Sequence, residues 1–187
     1  MAKIYLFLAN GFEEIEGLTV VDVLRRGGVE VCTVSLTGKT QIVGSHKISV
    51  EADSVFNNDE DYMDGDMLVL PGGLQGTNAL MAHEGLRELL LAYRDAEKYL
   101  AAICAAPSVL GMNGLLKGRQ ATCYPGFEDK LLGARKSELP VVQDGFIVTA
   151  EGLGASIPFA LHLLALLQGQ SEADRIAETI RFRRSDK

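Results

Sequence analysis

The chain has 187 residues, 47% of them hydrophobic, with 20 glycines spread along it and a formal net charge of −7. That length suits one domain with a substantial core, and the acidic balance argues against nonspecific nucleic-acid binding, which needs a basic surface. No stretch is long enough to span a membrane, and the three cysteines, odd in number and far apart, make no disulfide framework, so the chain reads as cytoplasmic with free thiols.

Lys3 to Leu8 is apolar and β-prone and predicts a first strand. The apolar run is too short for a signal peptide, and Asn10-Gly11-Phe12-Glu13-Glu14 follows where a cleavage site would stand. Glu13, Glu14 and Glu16 open a helix to about Arg26, with acids in the dipole-favoured first turn and Gly27-Gly28 as the stop. Glu13 and Glu14 read as solvated first-turn residues. Glu30 to Ser35 completes a βαβ unit with a right-handed crossover. Gln41 to Val50 reads as a hairpin turning near Gly44-Ser45, and Asn57 to Asp66 as a polar, acidic surface segment. Met67 to Leu70 is short and wholly apolar, a buried parallel strand that ends on Pro71-Gly72-Gly73. Helices follow over Thr77 to Ala82 and Glu84 to Ala96, the second carrying Leu86, Leu89, Leu90 and Tyr93 at helical spacing.

Tyr99 to Ile103 is another buried strand, and Pro107 suits the first turn of a helix. Cys104 sits between them among small residues. A strand turning sharply into a helix exposes one side chain at the bend, the geometry of a nucleophile elbow. The positive end of the helix would favour thiolate there; a buried structural cysteine is the equally weighted alternative. Gly118 to Cys123 suggests a strand before Tyr124-Pro125-Gly126, and Val141 to Gln143 with Phe146 to Ala150 a hairpin around Asp144-Gly145. Ala155 to Leu167 and Ser171 to Ile180 are helical, with Phe182-Arg183-Arg184 trailing off. Without repeats, low-complexity tracts or linkers, residues 1–187 read as one domain. Alternating strands and helices predict an α/β fold, a mainly parallel, doubly wound sheet with helices on both faces.

In such sheets ligands bind beyond the carboxyl ends of the strands. Gly11 to Glu16, Pro71 to Gly73, and Cys104 with Ala105 all leave such ends, so a thiol, a carboxyl and a glycine-rich turn converge. The Gly72-Gly73 turn and Ala105 can each present a backbone N–H to one point, which makes an oxyanion hole.

Asn-Gly-Phe-Glu-Glu-Ile-Glu, Val-Leu-Pro-Gly-Gly and Ala-Ala-Ile-Cys-Ala-Ala-Pro, in this order and spacing, resemble the DJ-1/PfpI (ThiJ) family, and most closely its DJ-1-like branch. The resemblance runs over nearly the whole chain, including Asp22 to Arg26 and the hairpin near Asp144-Gly145. It implies a flavodoxin-like three-layer sandwich and a homodimer. It also implies that Cys104 is a reactive, readily oxidised cysteine, that Glu16 is the acid bonded to it, and that Gly73 and Ala105 donate backbone N–H groups to the oxyanion. Gly72, Tyr124 and Pro125 are expected to line the pocket. Family members are reported as glyoxalases needing neither metal nor glutathione, as debated deglycases, and as oxidative-stress chaperones or sensors. A carboxyl beside a thiolate is pushed toward its protonated form by like charge, so Glu16 is expected protonated beside a Cys104 thiolate.

Tyr124 departs from the family, where a histidine often precedes the proline. Tyrosine is a poor base near neutral pH, which favours a mechanism of Cys104 and Glu16 alone. His46 occupies a hairpin position where some relatives place an arginine that reaches across the dimer. An exposed histidine is the plainer reading of His46, as a solvated one is of His83 and a packed one of His162. None has metal-ligand spacing, and no cofactor is expected. Cys32 reads as inert, and Cys123 as a core cysteine or a resolving partner for an oxidised Cys104. The function expected is therefore carbonyl chemistry on methylglyoxal or glyoxal through a hemithioacetal, with a redox sensor or chaperone using the same sulfur as the alternative. An amidotransferase would need a downstream His-X-Glu, but His162 is followed by Leu163-Leu164. A peptidase would need a histidine where Ala105 stands.

Overall fold

The computed structural model describes residues 1–183; Arg184, the end of the predicted tail, lies outside the described residues. The first half contains β1 (Lys3–Leu8), α1 (Glu14–Arg26), β2 (Glu30–Ser35), β3 (Gln41–Val43), β4 (Ser49–Glu51), β5 (Ser54–Val55), β6 (Met67–Leu70), α2 (Leu74–Ala82) and α3 (Glu84–Asp95). The second half contains β7 (Tyr99–Ile103), α4 (Pro107–Met112), β8 (Gln120–Ala121), β9 (Arg135–Lys136), β10 (Val141–Asp144), β11 (Ile147–Ala150), α5 (Ser156–Gln168) and α6 (Gln170–Thr179). No helix among the described residues is long and apolar enough to cross a membrane.

The main sheet runs β10-β11-β7-β6-β1-β2-β5, and only the β10–β11 pairing is antiparallel. Numbered in chain order, its five longer parallel strands lie 2-1-3-4-5, the flavodoxin-like doubly wound arrangement. Strand periodicity divides the apolar residues between two layers. Ile4, Leu6, Leu8, Met67, Val69 and Ile103 pack against Val20, Leu24, Phe159 and Leu163 of α1 and α5. Tyr5, Phe7, Leu68, Leu70, Leu100 and Ala102 pack against Leu86, Leu90, Tyr93, Val109 and Leu110 of α3 and α4. Burial on both faces is why these strands read as continuous apolar runs rather than alternating ones.

Three boundaries differ from expectation, each for a local reason. α2 begins at Leu74, three residues early, because Gly73 at φ +89° turns the chain straight into the helix. The strand expected over Gly118 to Cys123 shrinks to Gln120–Ala121, since the next amides leave the ladder: Thr122 N–H donates to Thr149 Oγ1 and Tyr124 N–H to the Cys104 carbonyl. The late hairpin turns at Gly145-Phe146, one residue on, with Asp144 opposite Ile147. Gly145 supplies the positive φ, +61°, that a tight hairpin turn requires.

The acidic segment before β6 is pinned rather than loose. Tyr62 is only 5% exposed, stacks on Phe56 at 5.2 Å and meets Tyr5 edge-on at 5.0 Å. The buried Tyr93 hydroxyl donates to the carbonyls of Tyr62, at 2.6 Å, and Gly65, at 3.0 Å. Tyr93→Phe leaves both carbonyls without that donor, and it should cost about 1–3 kcal/mol. The expected sign is a lower urea midpoint at unchanged slope; a wild-type midpoint would show that the hydroxyl does not hold the segment.

Candidate active site

Strands β1, β6 and β7 end together at the carboxyl edge of the sheet. The doubly wound order places its switch point between β1 and β6, because α1 leaves on one face and the α2–α3 chain on the other. The loops after these strands therefore meet in one crevice. Cys104 stands at the end of β7 with φ +66°, in the left-handed region that a non-glycine residue enters at a cost of roughly 1–2 kcal/mol. Two backbone bonds hold it there: Cys104 N–H to the Ala150 carbonyl, 2.9 Å, and Tyr124 N–H to the Cys104 carbonyl, 2.8 Å. Ala105 and Ala106 are buried, and Pro107 opens α4, as the elbow reading requires.

Glu16 comes from the first turn of α1 and is 1% exposed. Its Oε2 accepts the Gly72 N–H at 3.0 Å, and its carboxyl is hydrogen-bonded with the Cys104 thiol. The N–H groups of Gly73 and Ala105 both bear on the sulfur. The structure thus brings together Cys104, Glu16, Gly72, Gly73 and Ala105 as expected. It also shows why two glycines precede α2. A Cβ on Gly72 would lie 2.5 Å from Cys104 Cβ and 2.5 Å from Glu16 Oε2. One on Gly73 would lie 2.7 Å from Glu13 N.

Burial acts on the ionisation of both members of the pair. Burial pushes the Cys104 thiol up, and the Glu16 charge and hydrogen bond add to that; the Gly73 and Ala105 N–H groups oppose it, and the balance is about 12. Burial also raises Glu16, against the bond with Cys104; the Glu13 charge raises it further, the Gly72 N–H lowers it, and the result is about 7. Two such neighbours cannot both ionise near neutrality, so they share one proton. Burial thus favours the neutral form of both groups, and the hydrogen bond between them is the path along which a proton can pass from one to the other.

The first-turn acids are also corrected. Glu13 and Glu14 are buried, Glu14 to 2% exposure, because the β3–β4 hairpin folds over the start of α1. The missing Cβ of Gly44 makes room for the Glu14 carboxylate. Burial alone would raise Glu14, but donors from the His46 ring, the His46 N–H, its own N–H and Ser45 Oγ prevail and bring it down to about 2. His46 has an exposed ring whose Nδ1 lies 2.9 Å from Glu14 Oε2, so within this chain it is committed to Glu14. Glu13, Glu14 and His46 bring three donor atoms within 4.8 Å of one another, which their sequence spacing does not reveal. We read the group as an ion-pair cluster and assign no metal to it.

Tyr124 is 51% exposed at the mouth of the crevice. A Cβ on Gly152 would stand 3.2 Å from its ring and 4.0 Å from Glu16 Oε1, so little more than the Gly152 backbone separates ring from carboxylate. Pro125 follows Tyr124 on this loop. It lines a neighbouring cavity of about 200 Å³ with Cys123, Glu128, Lys136 and Glu151, and Cys104 is not in its lining. Cys123 packs in the core layer of α3 and α4, whereas Cys104 packs against that of α1 and α5. His83 is half-buried and caps α3, its Nδ1 accepting the Leu86 N–H at 3.1 Å; His162 packs as expected, 2.9 Å from Gln143 Oε1.

The sequence profile of the DJ-1/PfpI family matches residues 2–166. The chain is similar to DJ-1 homolog A of Arabidopsis thaliana, at 36% identity over 179 residues, 94% of this chain and 45% of that protein. It thus spans less than half the length of that relative. It is also similar to the Parkinson disease protein 7 homolog of Danio rerio, at 33% identity over 174 residues, 91% of this chain and 92% of that protein. Among solved structures it resembles an oxidized Toxoplasma gondii DJ-1, with TM-score 0.92 and 32% identity, covering 98% of this chain and 100% of the other. Drosophila melanogaster DJ-1beta gives TM-score 0.90 and 31% identity, covering 98% and 99%.

The shared proton makes a signed prediction. Glu16→Gln replaces a charge with a neutral amide, so the pH midpoint for alkylation of Cys104 by iodoacetamide should fall. An unmoved midpoint would mean the two groups are uncoupled, and a rise would mean the proton rests on Glu16.

Proposed function

The chain belongs to the DJ-1/PfpI family, and on that premise we propose that it acts on small α-oxoaldehydes such as methylglyoxal and glyoxal, without a cofactor. The observation that carries this reading is a half-buried thiol hydrogen-bonded to a buried carboxyl, with two backbone N–H groups directed at the same sulfur. A carboxyl near 7 is matched to proton transfer at neutral pH. As the Cys104 sulfur attacks the aldehyde carbon, Glu16 takes the thiol proton, and the Gly73 and Ala105 N–H groups hold the oxygen as its charge develops. Glu16 returns the proton to that oxygen and yields a hemithioacetal. It then carries the proton of the former aldehyde carbon to the neighbouring carbonyl carbon, through an enediol. The product is a thioester of the hydroxy acid; water cleaves it, releasing lactate or glycolate and restoring the thiol. Oxidation of one carbon balances reduction of the other, so no redox partner is needed. A deglycase would use the same opening addition.

A second reading has one favouring observation. A structural neighbour is an oxidized DJ-1, and the same N–H groups and Glu16 would stabilise a Cys104 sulfinate in a redox sensor or chaperone. We also propose that the chain is a single domain and a homodimer. Ile15 and Leu18 of α1 and Ile157 of α5 are exposed large apolar residues lining one groove beside Glu14, a surface suited to a second copy of the chain.

Lactate formation from methylglyoxal tests the chemistry. Cys104→Ser should lose about 100-fold or more in kcat/KM, and Gly72→Ala should lose comparably because its methyl drives thiol and carboxyl apart. No lactate from the wild type, together with Cys104 sulfinate by mass spectrometry after mild peroxide, would favour the sensor. Sedimentation tests the assembly: Leu18→Glu should shift a dimer to monomer, and a monomeric wild type would end that proposal.

A further inference from the structure

Glu13 has no step in this chemistry, yet it is buried and bonded to the reactive pair's support from two sides. Its Oε2 accepts the Glu16 N–H at 2.8 Å and caps α1. Its own N–H donates to the Gly72 carbonyl at 2.9 Å. The Gly72 N–H donates to Glu16 Oε2 at 3.0 Å. The three bonds close a ring in which Glu13 holds Gly72, Gly72 holds Glu16, and Glu16 holds Glu13. Gly72 is also the residue whose absent Cβ lets Cys104 and Glu16 meet. The ring therefore fixes the start of α1 to the turn after β6, and it aims the Glu16 carboxylate at the sulfur.

We propose that Glu13 is the positioning residue of this site: it sets the orientation of Glu16 through the cap and the Gly72 strap, and it biases the proton of Glu16 by its charge. The kinetic part rests on the carbonyl chemistry proposed above; the positional part does not. The charge acts as a like neighbour that helps Glu16 retain its proton. Other groups face the same region. Cys104 is bonded to Glu16, Glu14 is bonded to His46, and His46 Nδ1 lies 3.8 Å from Glu13 Oε1, so a protonated His46 offsets part of the Glu13 charge.

Two variants separate the contributions. Glu13→Gln keeps an acceptor for the Glu16 N–H but removes the charge, while Glu13→Ala removes both. Carbon NMR titration of the glutamate carboxyl groups, with the Glu16 resonance assigned by its loss in Glu16→Gln, reads the site without any turnover. Glu13→Gln should move the Glu16 midpoint to lower pH. Glu13→Ala should lower kcat for methylglyoxal about tenfold or more with KM changed less than about threefold, and Glu13→Gln should recover part of that loss. A Glu16 midpoint at the wild-type value in Glu13→Gln overturns the electrostatic role. A wild-type kcat in Glu13→Ala overturns the positional one; should that variant not fold, a Glu13→Gln kcat no lower than wild type across the pH range decides in its place. A wild type that turns over no aldehyde would end the carbonyl reading while the NMR titration still decides the charge effect.

Discussion

A carboxyl and a thiol share one space from which water is largely excluded, and only one of them can carry a charge near neutral pH. The rest of the site exists to make that arrangement tolerable. Desolvation raises both groups, and it is opposed on the carboxylate by the bond with Cys104 and the Gly72 N–H, and on the sulfur by the fixed dipoles of the Gly73 and Ala105 N–H groups. These dipoles cost no reorganisation when charge moves from one partner to the other during a reaction.

The fold supplies the dipoles by topology. Because the order of the strands reverses between β1 and β6, the loops after those strands open away from each other and leave a crevice at the sheet edge. Cys104 is held in an unfavourable backbone conformation by backbone bonds on either side, and the tight Gly72-Gly73 turn lets the backbone, rather than a side chain, approach it. Packing in the two apolar layers is what holds this strain in place.

Much of this was legible in the residues alone. β1, β2 and β6 lie where their apolar runs ended, because strands buried on both faces leave no doubt about period. Cys104, Glu16, Gly73 and Ala105 converge as the loops and the family resemblance implied. Other features depended on contacts remote in sequence. Glu13 and Glu14 looked solvated because nothing near them announces the hairpin that closes over α1 from some thirty residues on. A local trace existed only for Glu13, an acceptor three residues before Glu16 at a helix start. The helix end beside Cys104 is visible in sequence, whereas the depth of burial that opposes its effect on the thiol is not. Pro125 lines a cavity with Cys123 and Glu151, which its place beside Tyr124 does not reveal.

The placement of Cys104 and Cys123 toward opposite layers of the sheet has a chemical corollary. Capture of an oxidised Cys104 by Cys123 would need one of the two side chains to leave the layer it packs in. Oxidation that stays on the one sulfur would be a one-atom event, graded by oxygen count rather than by crosslinking.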